Sequence, residues 1–416
     1  MKNVSIIERI MILIICLFLI ANSSGSVFAA QRNEVSLNGS VYNDEAEYYQ
    51  YCLNYLGYTD YDNTKLDTDG YFGDKTTSAL NKFLRAAGFS YFNIYAKNTL
   101  MSLAENSPDR IYSSGFTSGA FKLSSTAFIY SDVSNIDNSN DPFYSINVLK
   151  NFKYIITTRP DAISYKSKRI LKVIQTTTKV FGYVNLGPDN PNASKSKWKL
   201  ANLNNLKSEI ASIAEAGWYG IFVDQFGYDY KETRERQNIV VDYAHSKGLK
   251  VMVNSWFPED ALGSRIVKSS NPAGAVSHLN SADWYLIESF FTGSDSYSGD
   301  SSFIEKYLKV KQYRNTMKIN VATLSYKRDS TSWQQATNDV KTSYILAHCL
   351  GFNGWWFGKT NCNDDLSYGK DPNVDLGAIV KQLKLKSNNK YIAETENYVI
   401  EYYAQTVPVL KLTKKN

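Results

Sequence analysis

Histidine and cysteine are nearly missing from this chain. Its 416 residues hold 3 His and 4 Cys. His245, His278 and His348 stand apart, with no Cys, Asp or Glu at metal-ligand spacing, which argues against a zinc enzyme. No metal and no cofactor are expected. Cys16 belongs to an N-terminal apolar run, and Cys52, Cys349 and Cys362 remain, an odd number. A Cys349–Cys362 bridge and plain buried thiols are both open readings. No Gly-rich phosphate loop follows an early strand, which argues against a dinucleotide site. A net charge of +6 comes with no basic stripe or recognition motif, so nucleic acid is not an expected partner. That charge leaves room only for mild attraction to an anionic wall. No second long hydrophobic run follows the first, so no membrane contact is expected once that run is removed.

Aromatic residues, by contrast, are abundant, at 14% with 31 Tyr and 7 Trp. Residues 1–30 read as a secretory signal: Lys2 and Arg9, the run Ile10–Ile20, then Val27-Phe28-Ala29-Ala30. An uncleaved anchor is the alternative, but the run is short of the roughly 20 residues a span needs. The mature protein is expected outside the cell or on its wall. Residues 31–43 read as a linker, 44–104 as a helical unit, 105–122 as a Ser/Gly-rich linker, 123–386 as an α/β barrel and 387–416 as a C-terminal extension.

The helical unit has apolar residues at helical spacing (Tyr48, Tyr49, Cys52, Leu53, Leu56; then Ala79, Leu80, Phe83, Leu84). Its Leu56-Gly57-Tyr58, Asp69-Gly70-Tyr71-Phe72-Gly73 and Thr76 resemble the pattern of the peptidoglycan-binding-like domain, a three-helix module. The resemblance implies peptidoglycan as a partner of residues 44–104. Leu84 stands where that family usually has Gln, and the loop from Thr59 to Asp67 is long.

From residue 123 the pattern alternates. Strand-like runs are Ala127–Tyr130, Tyr154–Thr157, Val180–Asn185, Gly220–Asp224, Lys250–Asn254, Trp284–Glu288, Lys318–Leu324 and Gly354–Phe357. Helical patterns lie between them, with looser ones at Ala261–Ser277 and a closing helix expected at Asp375–Leu385. Eight such units predict a (β/α)8 TIM barrel, with an open doubly wound sheet as the alternative.

Such a barrel collects its chemistry at the C-terminal ends of its strands. Those ends carry Asp132, Asn185, Asp224, Asn254, Glu288, Tyr326, Trp355 and Trp356. Asp224 and Glu288 end wholly apolar runs; Tyr183 and Trp256 add ring faces. Two carboxylates, amides for hydroxyls and aromatic platforms are what acetal hydrolysis requires: a proton for the leaving oxygen and negative charge near an oxocarbenium-like centre. The plain alternative for Asp224 is a cap on the following helix.

Gly182-Tyr183-Val184-Asn185-Leu186-Gly187, Gly217-Trp218-Tyr219-Gly220-Ile221-Phe222-Val223-Asp224, Asn254-Ser255 and Leu286-Ile287-Glu288-Ser289 resemble glycoside hydrolase family 114, the endo-α-1,4-polygalactosaminidase-like barrels. The resemblance spans residues 126–386. It implies a secreted, endo-acting glycosidase on a galactosamine-containing polysaccharide, with Asp224 as nucleophile or charge stabiliser and Glu288 as general acid/base. Substrate contacts would fall to Asp132, Tyr183, Asn185, Asn254, Trp256, Tyr326, Trp355 and Trp356. Two competing readings are a non-catalytic polysaccharide-binding surface protein on the same barrel and a peptidoglycan amidase or peptidase. His245 reads as a companion of a helix C-terminus, His348 as facing the barrel wall, and Arg234 and Arg236 as a solvated helix start.

Overall fold

The computed structural model describes residues 41–106, 124–129, 133–188, 190, 192, 194–293, 296, 298, 301–358 and 374–415. The expected signal segment, Asp132 and Cys362 lie outside the described residues. Among the described residues, no helix is long and apolar enough to cross a membrane.

Eight parallel strands pair in chain order and close on themselves: β1 (Ser124–Ile129), β2 (Tyr154–Thr157), β3 (Lys179–Asn185), β4 (Gly220–Asp224), β5 (Lys250–Asn254), β6 (Trp284–Ile287), β7 (Asn320–Tyr326) and β8 (Gly354–Gly358). Their central residues are apolar because a barrel strand is buried on both faces, by the interior and by the helices outside. Gly220 meets a tighter limit. A Cβ there would lie 2.3 Å from the Lys250 carbonyl oxygen on β5 and 2.7 Å from the Phe181 ring on β3. A strand backbone held in its ladder cannot retreat. Gly220→Ala is therefore expected to cost about 3 kcal/mol, read as a lower denaturant midpoint with the slope unchanged.

The connecting helices hold to the expected places with one gap. α1–α3 precede the barrel (Asp44–Tyr55, Asp74–Ala87, Ile94–Glu105); α4 (Pro142–Leu149), α5 (Tyr165–Ile174), α6 (Leu203–Glu215) and α7 (Arg234–Ser246) follow β1 to β4. After β5 the expected helix over Ala261–Ser277 is reduced to α8 (Pro258–Leu262), and the chain runs irregularly to β6. That stretch has Pro272, Gly274 and several Ser but no sustained apolar period. Its carbonyls are gripped instead by Arg234, whose guanidinium donates to Ala261 O at 3.0 Å and Gly263 O at 2.7 Å. Arg234 is thus buried, and Arg236 bonds Glu232 and the carbonyls of Leu186 and Ala201; neither is a solvated helix start. α9 (Ser301–Met317) and α10 (Trp333–Cys349) complete the ring.

The expected closing helix at Asp375–Leu385 is a strand. β9 (Ile379–Ser387) joins β10 (Lys390–Thr395), β11 (Tyr398–Tyr403) and β12 (Val409–Lys414) in an antiparallel sheet, so the sheet straddles the expected boundary at residue 386. Leu383 and Leu385 alternate with Lys384 and Lys386, a period of two that favours strand over helix. Leu383, Tyr391, Ala393, Ile400 and Tyr402 are buried. His348, on α10, lies 3.1 Å from the Gly377 carbonyl in the approach to this sheet rather than against the barrel wall. His245, in the last turn of α7, pairs with Asp283 at 3.0 Å. Among the described residues, Cys52 and Cys349 are free buried thiols.

The first three helices bury Tyr48, Tyr49, Leu53, Ala79, Phe83 and Leu100 in a core continuous with that of the barrel. Gln50 pins the Asp69–Gly73 turn by donating to Asp69 Oδ1 (2.8 Å) and the Tyr71 carbonyl (2.9 Å) and accepting from Gly70 N (2.9 Å). The unit is tied to the barrel's outer ring. Arg169 on α5 forms a fork on Glu105 at 2.7 and 2.9 Å, Lys166 pairs with Glu47 at 3.0 Å, and Tyr55 lies 4.3 Å from the Phe143 ring.

Candidate active site

The barrel register decides which strand-end residues meet. Asn185 is level with Asp224 between β3 and β4, and Asn254 is level with Leu286 between β5 and β6. β5 lies between the strands that end in Asp224 and precede Glu288, so its last residue faces both carboxylates. The Asn254 amide nitrogen donates to Asp224 Oδ1 at 3.0 Å and to Glu288 Oε2 at 2.6 Å. Two bonds from one nitrogen hold those oxygens within about 5.6 Å of each other. Tyr183 OH donates to Asp224 Oδ2 at 2.9 Å, Gln225 N to Asp224 Oδ1 at 2.8 Å, and Tyr326 OH to Glu288 Oε1 at 2.7 Å.

The backbone leaves both strands in the same manner. Gln225 and Ser289, each next after a carboxylate, have φ of 55° and 52°. Non-glycine residues avoid this left-handed region, and departures from that rule gather at functional sites. Each turn halts the strand and leaves the preceding carboxylate on the barrel rim.

Charge and burial work against each other here. Burial, then the charge of Glu288, pushes the Asp224 carboxyl up; bonds from Tyr183, Gln225 and Asn254 pull it down, and the net direction is up. The Tyr183 phenol is also raised, by burial and then by the charge of Asp224. Lys306 on α9 is lowered to about 8 by burial, with Glu288 and Asp229 opposing that shift. Asp229 is raised, chiefly by burial, and its Oδ1 is buried with no hydrogen-bond partner among the described residues.

The other expected site residues divide. Trp256 is 43% exposed at the rim, edge-on to Phe303 at 5.9 Å and with the Lys306 ammonium 4.2 Å from its ring centre. Asn185 reaches the same level but spends its Oδ1 on Gly187 N at 3.1 Å, shaping the loop instead of joining the carboxylates. Trp355 and Trp356 point to opposite faces, as neighbours on a strand must. The Trp355 indole donates to Ser343 on α10 at 3.0 Å and meets the Tyr344 ring at 5.4 Å, so it is packing between strand and helix and drops out of the site. Trp356 is level with Leu324, below Tyr326, with its indole nitrogen buried and unpaired. Gly358 lies close against it, since a Cβ there would come within 2.7 Å of that nitrogen, and the Phe152 ring stands edge-on to it at 5.5 Å. Asp132 is outside the described residues.

The difference between the exposed and packed tryptophans is measurable. Trp256→Ala is expected to raise KM with the melting temperature unchanged, whereas Trp355→Ala removes a buried ring at a cost of about 3–5 kcal/mol. Equal effects on stability would contradict this assignment.

Four neighbours were not among the expected residues: Trp198, Tyr230, Phe303 and Lys306. Tyr230 is raised by burial and by the charges of Asp229, Asp224 and Glu288, and it stacks on Trp198 with ring centres 5.9 Å apart and planes at 15°. A scan of strand ends cannot find residues that loops and a helix fold over the rim. The only sequence signal was for Tyr230, which shares a loop with Asp224.

No family model matches the chain. No curated protein matches it. Among solved structures it is similar to a GH18 chitinase from Pseudoalteromonas aurantia, with 10% identity and a TM-score of 0.36 over 57% of this chain and 94% of that one. A Schiff base forming fructose-1,6-bisphosphate aldolase is 13% identical, with a TM-score of 0.34 over 60% and 90%. The Bacillus megaterium QM B1551 spore cortex-lytic enzyme SleL is 7% identical, with a TM-score of 0.35 over 59% and 72%. Likenesses of this extent bear on neither reaction nor substrate, and the closed barrel stands on its strand pairing alone.

Proposed function

We propose that the protein is a glycoside hydrolase that works through Asp224 and Glu288 by retaining double displacement. The observation that carries the reading is the single Asn254 amide bonded to both carboxylates, which caps their nearest oxygens at about 5.6 Å. Retaining enzymes hold the two groups at about 5–5.5 Å, and inverting ones at about 6.5–9.5 Å to admit a water.

In the first step Glu288 gives its proton to the leaving oxygen while Asp224 attacks the anomeric carbon and forms a glycosyl ester. In the second step Glu288 takes a proton from water, which displaces Asp224 and returns it as carboxylate. Burial that makes an ionised Asp224 costly is relieved when the ester forms. Tyr183, Asn254 and Tyr326 orient the two groups. Trp256 and the Trp198–Tyr230 stack offer ring faces to sugars.

The wider reading adds secretion by residues 1–30 and delivery to a wall polysaccharide by residues 44–104, with a galactosamine-containing polymer as the substrate that the family 114 resemblance implies. The test incubates the protein with acetylated and deacetylated galactosamine polymers and with peptidoglycan and weighs soluble fragments by mass spectrometry. The anomer of the new reducing end is read by NMR. Retained configuration is expected. Inverted product overturns the double displacement, and binding without any fragment favours a non-catalytic wall protein.

A further inference from the structure

Lysines gather where the cleft meets its aromatic walls. The loop after β3 is pinched at its base by a bridge between Pro188 and Leu200. Within it, residues 194–202 include Lys195, Lys197 and Lys199 and no acidic residue. Lys195 and Lys231 hold their ammonium groups 5.4 and 5.9 Å from the Trp198 ring centre, and Trp198 is the residue stacked on Tyr230. Each of these two lysines donates to a backbone carbonyl, of Asp229 and of Lys195, so neither charge is cancelled by that bond.

Across from the Trp198 loop in sequence, α9 supplies Lys306 to a second aromatic group. Its ammonium lies over Trp256, in a cavity of about 280 Å³ lined also by Phe257, Pro258 and Phe303. Lys309 in the same cavity is paired with Glu259. Among the described residues, Lys195, Lys197, Lys199, Lys231 and Lys306 make no ion pair. A partly buried ammonium with no counter-ion is costly to hold. Lys306 feels Glu288 and Asp229 at a distance, yet burial still lowers it to about 8. An anion entering the cavity would reverse that cost.

We propose that the cleft takes a polysaccharide bearing anionic groups, carboxylate or phosphate, with Lys306 and Trp256 forming the subsite that receives a charged sugar and the Trp198 loop holding the chain beyond it. The inference rests on the hydrolase reading for the course of the chain past Asp224 and Glu288. It departs from a galactosamine polymer, which carries positive charge when deacetylated and none when acetylated.

Binding of the full-length Asp224→Asn protein is measured on polygalacturonate, poly(glycerol phosphate), neutral pullulan and cationic chitosan. Expected is binding to at least one anionic polymer about tenfold tighter than to pullulan or chitosan, weakening as salt screens the charges; the carboxylate and phosphate arms show which anion is preferred. Lys197→Glu with Lys199→Glu, and separately Lys306→Met, should each remove most of that preference. The C-terminal sheet also exposes lysines, so Lys384→Glu with Lys411→Glu serves as control and should leave the preference intact. Equal or tighter binding of pullulan or chitosan overturns the proposal, as does a preference lost only in the control. Wild-type turnover is scored apart. Cleavage of a neutral polymer with no anionic preference sinks this inference and leaves the hydrolase standing; anionic preference without new reducing ends does the opposite.

Discussion

Asp224→Asn and Glu288→Gln should each lower glycan turnover by about 10²–10⁴-fold, the range for losing a positioned acid, base or nucleophile. Each substitution keeps the shape and removes only the ability to ionise. The loss should fall on kcat more than on KM, because in the proposed double displacement both groups act at the reacting bond. Stability should move the other way at position 224. The folded-state pKa of Asp224 is raised, so its neutral form is the one the fold favours. Its contribution is fully present below the unfolded Asp value, about 3.9, and is lost as pH rises through the raised folded value. Once ionised, wild-type Asp224 is a buried charge that Asn does not carry. Asp224→Asn is expected to melt higher than wild type at pH 7, with the gap closing as pH falls. A variant that is inactive and also less stable at pH 7 would mean that Asp224 serves the fold and not the reaction.

Asn254→Leu should have the next largest effect. Leu matches Asn in size but offers neither hydrogen to the carboxylates. Both Asp224 and Glu288 lose a donor that favours their ionised form, and repulsion between them is no longer bridged. Removing the Asn254 bond raises the Asp224 carboxyl further, so the acid limb of the kcat/KM profile should move up by about one pH unit. Turnover at neutral pH should fall by about 10²-fold, since the amide also sets the separation of the two groups. A drop in rate with the acid limb unmoved would make Asn254 a packing residue only. The two variants report on different things: position 224 tests who reacts, and position 254 tests what spaces the reacting groups.

The barrel itself was legible because its strands are short apolar runs between one-sided helices, and burial on both faces leaves few other readings for Ile221-Phe222-Val223 or Tyr285-Leu286-Ile287. Two segments misled. Asp375–Leu385 has apolar residues dense enough for a helix, but pairing with β10 made its second half a strand, in which Leu383 is buried and Leu385 exposed. Arg234 read as solvent-facing, yet the carbonyls of Ala261 and Gly263, where the chain leaves α8, drew the guanidinium inward. In both cases a partner distant in sequence decided the outcome.

The site divides along the same line. From the residues alone came the carboxylates Asp224 and Glu288, the amide of Asn254, and Tyr326, because residues at which the strands of a closed parallel barrel stop stand on the rim whatever their neighbours are; Tyr183 came only as a ring face, and the structure added its hydroxyl bond to Asp224. Tertiary structure decided the rest. It set Asn254 between the two carboxylates, since only the strand order places β5 between β4 and β6. Of two adjacent tryptophans, it turned Trp356 inward with Leu324 and Trp355 outward to Ser343, since a period of two says that they differ but only register says which is which. And it brought Lys306 and Trp198 to the cleft from elements that no strand-end pattern marks.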